Sequence, residues 1–276
     1  MLDLDRIAAV AEAAALADGA EPLDEATWLA LRSPFGHDVA GEQGAEGFWL
    51  VVDEALSLVV HPRARGRGLG GELLRKALEQ HTVLTAWSHA DHPAAARLAA
   101  AHGFRRVREL WLMRRALTEP LLPVPAGVEI RSYRDSDRDE LLRVNAAAFA
   151  HHPEQGALDA EGLALRMAEP WWDPAGLLVV PERDRLLGFH WTKQHSPGLG
   201  EVYVLGIAPE AQGRGLGRAL TLAGLHHLTG LGVGEVVLYV EGDNAAAIRT
   251  YSGLGFSHAP SDTHVMYSRD APAPTG

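Results

Sequence analysis

Two stretches with the same pattern decide the fold: LSLVVHPRARGRGLGGELLRKAL at residues 56–78 and VYVLGIAPEAQGRGLGRALTLAG at residues 202–224. Each runs from an apolar strand through a proline to a glycine-rich turn, and then into an amphipathic helix. Further on, each copy has a second apolar run, VLTAWSH or EVVLYVE, and an alanine-rich helix that ends at Gly103-Phe104 or Gly255-Phe256. Because these landmarks recur in the same order, the chain contains an internal repeat.

Length and composition agree with two soluble domains. The chain has 276 residues, and 47% of them are hydrophobic, which excludes disorder for most of its length. Its 25 basic and 36 acidic residues give a net charge of -11, which argues against broad nucleic-acid binding. With 0 cysteines, a disulfide framework and a cysteine nucleophile are excluded. The N-terminus lacks a signal-peptide pattern and the apolar runs are short, so we expect a cytoplasmic protein.

The proline-rich stretch ALTEPLLPVPAG at 116–127 is typical of a linker. It predicts a first domain at 1–115, a second at 128–270 and a disordered tail at 271–276. Each domain is expected to have a mixed α/β fold. In the second domain the pattern predicts strands near 128–133, 177–181, 186–193, 201–208, 235–240 and 262–268, and helices near 136–149, 159–168, 215–230 and 244–253. The first domain leaves only residues 34–52 for its early strands, so we interpret it as a shortened copy.

The glycine turns predict anion-binding sites. In residues 212–217, the glycines let backbone N–H groups approach a ligand, and the following helix N-terminus adds unpaired donors and partial positive charge. A pyrophosphate suits such a site, and Arg214 and Arg218 would add charge. The turn at residues 65–70 repeats the pattern. A dinucleotide-binding fingerprint is rejected because Arg218 replaces its third glycine, and no Gly-Lys-Ser/Thr of a phosphate-binding loop follows.

These motifs resemble motif A of the GNAT acetyltransferases. The segment 244–256, Asn-x-x-Ala-x-x-x-Tyr-x-x-x-Gly-Phe, is similar to the family's later helix motif. The strings HHPEQG (151–156), GFHWTK (188–193), GLGEVYVLG (198–206) and LYVEGDN (238–244) extend the resemblance to the mycothiol synthases, a family of tandem GNAT enzymes. This implies two tandem GNAT domains, the first shortened, in a monomer. It also implies transfer of acetyl from acetyl-CoA to the cysteinyl amine of a cysteine–glucosamine–inositol pseudodisaccharide, which gives mycothiol and CoA.

The resemblance further implies which residues contact acetyl-CoA in each half. In the first half they are Leu58, Val59, Val60, Gly66, Arg67, Gly68, Leu69, Gly70 and Gly71. In the second half they are Leu205, Gly206, Ile207, Gln212, Gly213, Arg214, Gly215, Leu216, Gly217, Arg218, Asn244, Ala245, Ala246, Ala247, Ile248 and Arg249. A backbone N–H near 205–207 would polarise the thioester carbonyl.

Acetyl transfer to an amine needs a group that accepts the amine proton and a group that donates to the leaving thiolate. The resemblance makes Tyr251 the acid. Glu201, at the start of a strand, is the candidate base, but Glu54 lies at the same distance before its own glycine turn. Ala99 falls where Tyr251 falls in the repeat, and alanine cannot donate a proton. We therefore predict that the first half binds CoA but does not catalyse.

The resemblance implies that the acceptor is bound by Glu25, Glu154, Lys193, Glu201 and Tyr239. Asp24 is an alternative to Glu25. The histidines lack the spacing of a metal motif, so we expect no metal, no nucleic acid and no membrane among the partners. Two other functions remain open: acetyl transfer to a different amine, and acyl-CoA sensing without catalysis.

Overall fold

The computed structural model describes residues 2–32, 37–150 and 155–269. The chain divides into two compact units. The first unit contains the described residues up to Trp111, together with Glu241–Asp243 and those from Ala259 onward; the second contains Leu112–Val240 and Asn244–His258. The end of the second copy of the repeat therefore contributes to the first unit.

The first unit is a sheet covered by helices on both faces. Its helices are α1 (Leu4–Asp18), α2 (Glu25–Arg32), α3 (Leu69–Gln80) and α4 (Pro93–Ala101). Its strands are β1 (Val39–Gln43), β2 (Gly47–Val52), β3 (Ala55–Val60) and β4 (Thr85–Ser88), with parts of the long strands β5 (Arg105–Ala116) and β11 (Ser257–Ser268). β1, β2 and β3 form an antiparallel meander, and β3 pairs in parallel with β4. Residues 265–268 of β11 pair antiparallel with β4.

Alternation along β2 explains how this unit builds two apolar layers. Phe48 and Leu50 pack with Ile7 and other buried residues of α1, whereas Trp49 and Val51 pack with Leu73 and its neighbours on α3. Successive strand residues face opposite sides of a sheet, so one continuous apolar run supplies both layers.

The second unit contains the longer copy of the repeat. Its helices are α5 (Arg138–Ala148), α6 (Ala160–Met167), α7 (Leu216–Gly230) and α8 (Ala245–Ser252). Its strands are β6 (Arg131–Ser132), β7 (Leu177–Glu182), β8 (Arg185–Ser196), β9 (Leu199–Ile207) and β10 (Glu235–Glu241). They lie in the order β6-β7-β8-β9-β10, and all neighbours are antiparallel except β9 and β10. Phe189, Trp191 and Leu220 are fully buried in its core.

The predicted mixed α/β class is confirmed, and most predicted elements lie within a few residues of the observed ones. Two bounds differ. The strand expected to begin at Glu201 begins at Leu199, and the strand expected over 128–133 is reduced to Arg131–Ser132. Across the described ranges, the helices are all too short or too polar to cross a membrane.

Candidate active site

Two parallel strands separate in each unit at the same point of the repeat. In the second unit β9 and β10 pair only at residues 199–201 of β9, and Glu201 is the last residue of β9 that pairs with β10. Within the described chain no further pairs join these strands, although β9 continues to Ile207 and β10 to Glu241. β3 and β4 likewise pair only at Ala55 and Leu56. Each unit thus has a wedge between two strands, and backbone groups of β9 and β3 face it without a strand partner.

The two glycine turns have the same backbone conformation. Gly66 and Gly68 have φ of 74° and 88°, and Gly213 and Gly215 each have φ of 76°. Glycine adopts this left-handed region readily, whereas other residues are strained there. A Cβ added at any of the four would meet nothing within 4 Å. The backbone, not the packing, therefore requires glycine, and the space beside each turn is open.

Each turn leads directly into a helix whose first N–H groups have no partners within the helix. Gly68 and Gly215 occupy the cap positions of α3 and α7, and a glycine carries no side chain to bond those donors. The donors and the positive end of the helix dipole then face the open space. This arrangement fits a pyrophosphate group.

The arginines at the second turn have partners of their own. Arg214 Nη2 lies 2.9 Å from Glu182 Oε1, in an exposed ion pair. Arg218 Nη1 donates to the carbonyl of Gly253 at 3.3 Å, which places it beside the end of α8. Both contacts are at the surface, so they do not prevent a role in phosphate binding.

Glu201 lies at the apex of the second wedge and is only 6% exposed. Its Oε2 is 2.6 Å from Nε2 of His195. Lys193 is directly opposite Glu201 in the β8–β9 register, so both side chains are on one face of the sheet. The structure therefore brings together two of the predicted site residues and adds an imidazole that the motif spacing did not predict.

An aromatic enclosure surrounds the Lys193 ammonium, and Lys193 is 8% exposed. Its Nζ lies 4.5 Å from the ring centroid of Trp171 and 5.0 Å from that of Tyr203. Ring faces attract a cation, which lowers the cost of burying this charge. Trp171 and Trp191 also contact each other, with ring centroids 5.8 Å apart. This enclosure fixes the position of the Lys193 ammonium, and its role in binding the acceptor stays a prediction.

Glu54 has a different environment from Glu201. It lies in the turn between β2 and β3, is exposed and has a left-handed φ of 67°. Spacing from the glycine turn did not separate the two glutamates, but burial does. Of these two glutamates, only Glu201 is buried at the apex of a wedge.

Tyr251 is on α8, which begins after Asn244. The Asn244 Oδ1 accepts a hydrogen bond from the Ala247 N–H at 3.1 Å and caps the helix. Tyr251 is partly buried, and its ring centroid lies 5.9 Å from that of Phe256. Burial raises the pKa of Tyr251 to about 12. The phenol is therefore protonated at neutral pH and can donate a hydrogen bond.

The other residues predicted to bind the acceptor substrate lie in different parts of the chain. Tyr239 is on β10, two residues beyond the last pair with β9, and is 45% exposed. Glu25 is the first residue of α2, in the first unit. Asp24 Oδ1 accepts from the Thr27 N–H at 2.7 Å and caps α2. Glu154 lies outside the described residues.

Gly206 was predicted among the CoA contacts, and the structure shows a packing requirement at this position. A Cβ there would lie 2.7 Å from Cε1 of Phe189, a buried core residue. Glycine at 206 is therefore needed for the sheet to pack, whatever its backbone N–H does.

The adjacent histidines His226 and His227 contact different partners. His226 Nε2 lies 3.0 Å from the Leu122 carbonyl, while His227 Nε2 lies 2.9 Å from Asp173 Oδ2. In the described part of the chain, no three His, Asp or Glu side chains are grouped so as to hold a metal ion.

The paired wedges and glycine turns define a class of protein, and comparison with known families identifies it. Residues 144–256 match the model of the acetyltransferase (GNAT) family, and residues 24–106 match that of an acetyltransferase (GNAT) domain. A tandem GNAT protein from the clavulanic acid biosynthesis pathway has a similar structure, with a TM-score of 0.72, 20% identity and coverage of 99% of this chain and 97% of that one. A GCN5-related N-acetyltransferase from Sphaerobacter thermophilus gives a TM-score of 0.70 at 24% identity, covering 97% and 93%. The fold is a tandem GNAT fold.

Curated relatives narrow the assignment. The mycothiol acetyltransferase of Nocardioides sp. is 58% identical over 288 residues, covering 96% of this chain and 97% of the relative. That of Nocardia farcinica is 47% identical over 287 residues, covering 96% and 93%. The chain belongs to the mycothiol acetyltransferase family of actinobacterial tandem GNAT enzymes, which confirms the family predicted from its motifs.

Proposed function

We propose that this enzyme transfers the acetyl group of acetyl-CoA to the cysteinyl amine of desacetylmycothiol, the cysteine–glucosamine–inositol pseudodisaccharide, giving mycothiol and CoA. Membership of the mycothiol acetyltransferase family supports the substrate pair. The observation that carries the mechanism is the buried carboxylate of Glu201 at the apex of the wedge.

Acetyl-CoA binding in the second unit rests on the turn at residues 212–217 and on the open edge of β9. The first N–H groups of α7 would bind the pyrophosphate, and the β9 edge would bind the pantetheine arm. A backbone N–H near Leu205 would hydrogen-bond the thioester carbonyl and stabilise the negative charge that develops on its oxygen. Asn244, which precedes α8, and Arg249, which lies on α8, would contact CoA from the other side of the turn.

The reaction forms one N–C bond and breaks one C–S bond. The amine nitrogen attacks the thioester carbon, and Glu201 accepts the proton that the nitrogen loses. An α-amino group has a pKa of about 7.7–8.0, so a fraction of the acceptor is already the neutral, nucleophilic amine at pH 7. Attack makes the nitrogen cationic and more acidic, so a carboxylate is basic enough to accept its proton. Direct attack needs no covalent enzyme intermediate, which agrees with a chain that has 0 cysteines.

Tyr251 supplies a proton donor to the departing sulfur. Its pKa of about 12 lies above that of a free thiol, about 8.5. The phenol therefore stabilises the developing thiolate by donating a hydrogen bond, and complete proton transfer is not required before CoA leaves. This role depends on Tyr251 remaining neutral, which burial ensures.

The acceptor would be bound by polar groups around Glu201. Lys193 lies opposite it in the sheet and Tyr239 lies on the open part of β10. Glu25 and Glu154 are proposed as further contacts. The first unit is proposed to bind CoA at the turn of residues 65–70 without catalysing, because Ala99 has no hydroxyl and Glu54 is exposed.

A direct assay tests this function. The protein is mixed with acetyl-CoA and desacetylmycothiol, and CoA and mycothiol are quantified by mass, because the acceptor carries its own thiol. We expect equimolar formation of both products. Product at background level would remove the proposed substrate pair. CoA formation with a different amine, or CoA binding with no transfer to any amine, would support the alternative functions.

A further inference from the structure

We propose that His195 is a positioning residue for acetyl transfer, which holds the Glu201 carboxylate through one oxygen so that the other accepts the amine proton. This inference rests on the proposed function, since it assigns a role in the same reaction. Its evidence is the geometry of the β8–β9 hairpin.

The β8–β9 hairpin contains an irregularity at His195. Lys193 pairs with Glu201 and Gln194 with Gly200, but the next pair joins Ser196 to Leu199. His195 is therefore an extra residue on β8, the mark of a β-bulge. Bulges next to active sites re-aim side chains, and here the bulged residue directs its ring toward a carboxylate on the neighbouring strand.

The contact between His195 and Glu201 is short, and the two side chains differ in solvent exposure. His195 Nε2 and Glu201 Oε2 are 2.6 Å apart, within the range of a charge-assisted hydrogen bond. The Glu201 side chain is 8% exposed, whereas the His195 side chain is 36% exposed. Burying a carboxylate is costly unless it is hydrogen-bonded, and His195 supplies such a bond while its outer edge reaches water. A carboxylate accepts, so the Nε2–H of His195 donates to Oε2.

This bond leaves a defined place for the proton in the reaction. As the N–C bond forms and the C–S bond breaks, the proton from the amine moves to Oε1 of Glu201, and His195 keeps its own Nε2–H on Oε2. The protonated Glu201 then returns its proton to solvent when the product leaves. His195 touches no reacting atom, so it acts only through Glu201.

The imidazole of His195 acts by holding the Glu201 carboxylate in position and not by its charge. Two substitutions separate these two effects. His195→Ala removes the donor, whereas His195→Gln keeps an amide N–H near the place of Nε2 and does not titrate. The protein also contains a matched control. His37 Nδ1 lies 2.6 Å from Asp53 Oδ2 in the first unit, so His37→Ala breaks an equally short histidine–carboxylate contact at a site with no role in the reaction.

Steady-state kinetics with acetyl-CoA and desacetylmycothiol test the proposal. We expect His195→Ala to lower kcat about 10- to 100-fold, as is typical for residues that orient a functional side chain, with an unchanged KM for acetyl-CoA. His195→Gln should recover most of the lost kcat, and His37→Ala should match the wild type. Thermal melting of all variants shows whether they are folded.

Three outcomes would overturn the proposal: wild-type kcat in His195→Ala, no recovery in His195→Gln, or an equal loss of kcat in His37→Ala. These failures can be told from failure of the proposed function. If the wild-type enzyme forms no mycothiol, the function is wrong; if it does and any of the three outcomes occurs, only the role of His195 is wrong.

Discussion

The carbonyl of Tyr251 accepts a hydrogen bond from the Phe256 N–H at 3.1 Å, and the carbonyl of Ala99 accepts one from the Phe104 N–H at 2.9 Å. Both bonds follow the C-terminus of an alanine-rich helix, and in each copy a left-handed glycine, Gly255 or Gly103, directly precedes the phenylalanine. Tyr251 and Ala99 are therefore equivalent positions in the two copies. The copies share a backbone, and they differ in whether that position can donate a proton.

This equivalence predicts the effect of removing the hydroxyl oxygen of Tyr251. Tyr251→Phe should lower kcat about 10²- to 10⁴-fold, the usual contribution of a positioned proton donor, with a small change in KM for acetyl-CoA. Tyr267→Phe is the control, because Tyr267 is a buried tyrosine of the first unit whose hydroxyl donates to Asp91 at 3.4 Å. Wild-type kcat in Tyr251→Phe would exclude Tyr251 as the donor.

The raised pKa of Tyr251 also predicts the alkaline side of the pH profile. Because burial raises this pKa to about 12, the phenol stays protonated as pH rises through 8, 9 and 10. We expect kcat to show no decline caused by Tyr251 in that range. A decline with a midpoint near pH 9 that disappears in Tyr251→Phe would show that the tyrosine ionises earlier than burial predicts.

The two glutamates that precede the glycine turns give a matched pair of substitutions. Glu201→Gln keeps the size and hydrogen-bonding shape of the buried side chain but removes its ability to accept a proton. We expect kcat to fall about 10²- to 10⁴-fold. Glu54→Gln alters an exposed turn residue and should leave kcat within twofold of the wild type. Equal kcat values for the two variants would contradict the assignment of the active half.

The succession of helices and strands along the chain was predictable from its sequence, because helix periodicity, helix-ending prolines and glycine turns are set by residues close in sequence. The turn at 212–217 leads into α7, as its pattern predicted, and its glycines at 213 and 215 have left-handed φ values. The pairing of residues 265–268 with β4 was not predictable, since strand pairing between distant segments leaves no local pattern. The same is true of the bulge at His195, which depends on register and not on the residue type.

The open glycine turn makes a prediction about acetyl-CoA binding. Gly215→Ala places a Cβ at φ 76° without a steric clash, so the cost is backbone strain of about 1–2 kcal/mol. A turn that relaxes to avoid this strain moves its N–H groups, and we expect KM for acetyl-CoA to rise several-fold. Gly232→Ala is a matched control, because Gly232 has φ 81° and open space but lies after α7. It should lower stability by a similar amount and leave KM unchanged.

A buried histidine predicts how stability responds to acid. His190 is fully buried, its Nδ1 lies 2.8 Å from the Leu220 carbonyl, and burial lowers its pKa to about 4. In the unfolded chain this pKa is about 6.5, so between these values the unfolded state binds a proton that the folded state does not. The unfolding free energy is therefore unaffected by His190 above pH 6.5. It decreases by about 3 kcal/mol as pH falls toward 4, because the unfolded chain then takes up the proton.

This loss can be measured by urea unfolding at pH 7 and pH 4.5. The wild type should lose more unfolding free energy between the two values than His190→Leu, which cannot titrate. Carboxylates elsewhere in the chain contribute equally to both proteins, so the difference isolates His190. An identical pH dependence in the two proteins would show that His190 is protonated as easily when folded as when unfolded.

The contact of His190 with α7 predicts that two glycines of the same helix respond to alanine in opposite directions. A Cβ at Gly224 would lie 2.1 Å from Cε1 of His190 and 3.0 Å from Cγ2 of Thr192, both buried side chains. Gly224→Ala should therefore destabilise the protein by about 1–3 kcal/mol, the usual cost of overpacking a core. Gly230, the last residue of α7, has nothing within 4 Å of its Cβ position. Gly230→Ala should instead stabilise by up to about 1 kcal/mol, because alanine favours the helix. Thermal melting distinguishes the two, and a stabilised Gly224→Ala would mean that the His190 ring can move away from α7.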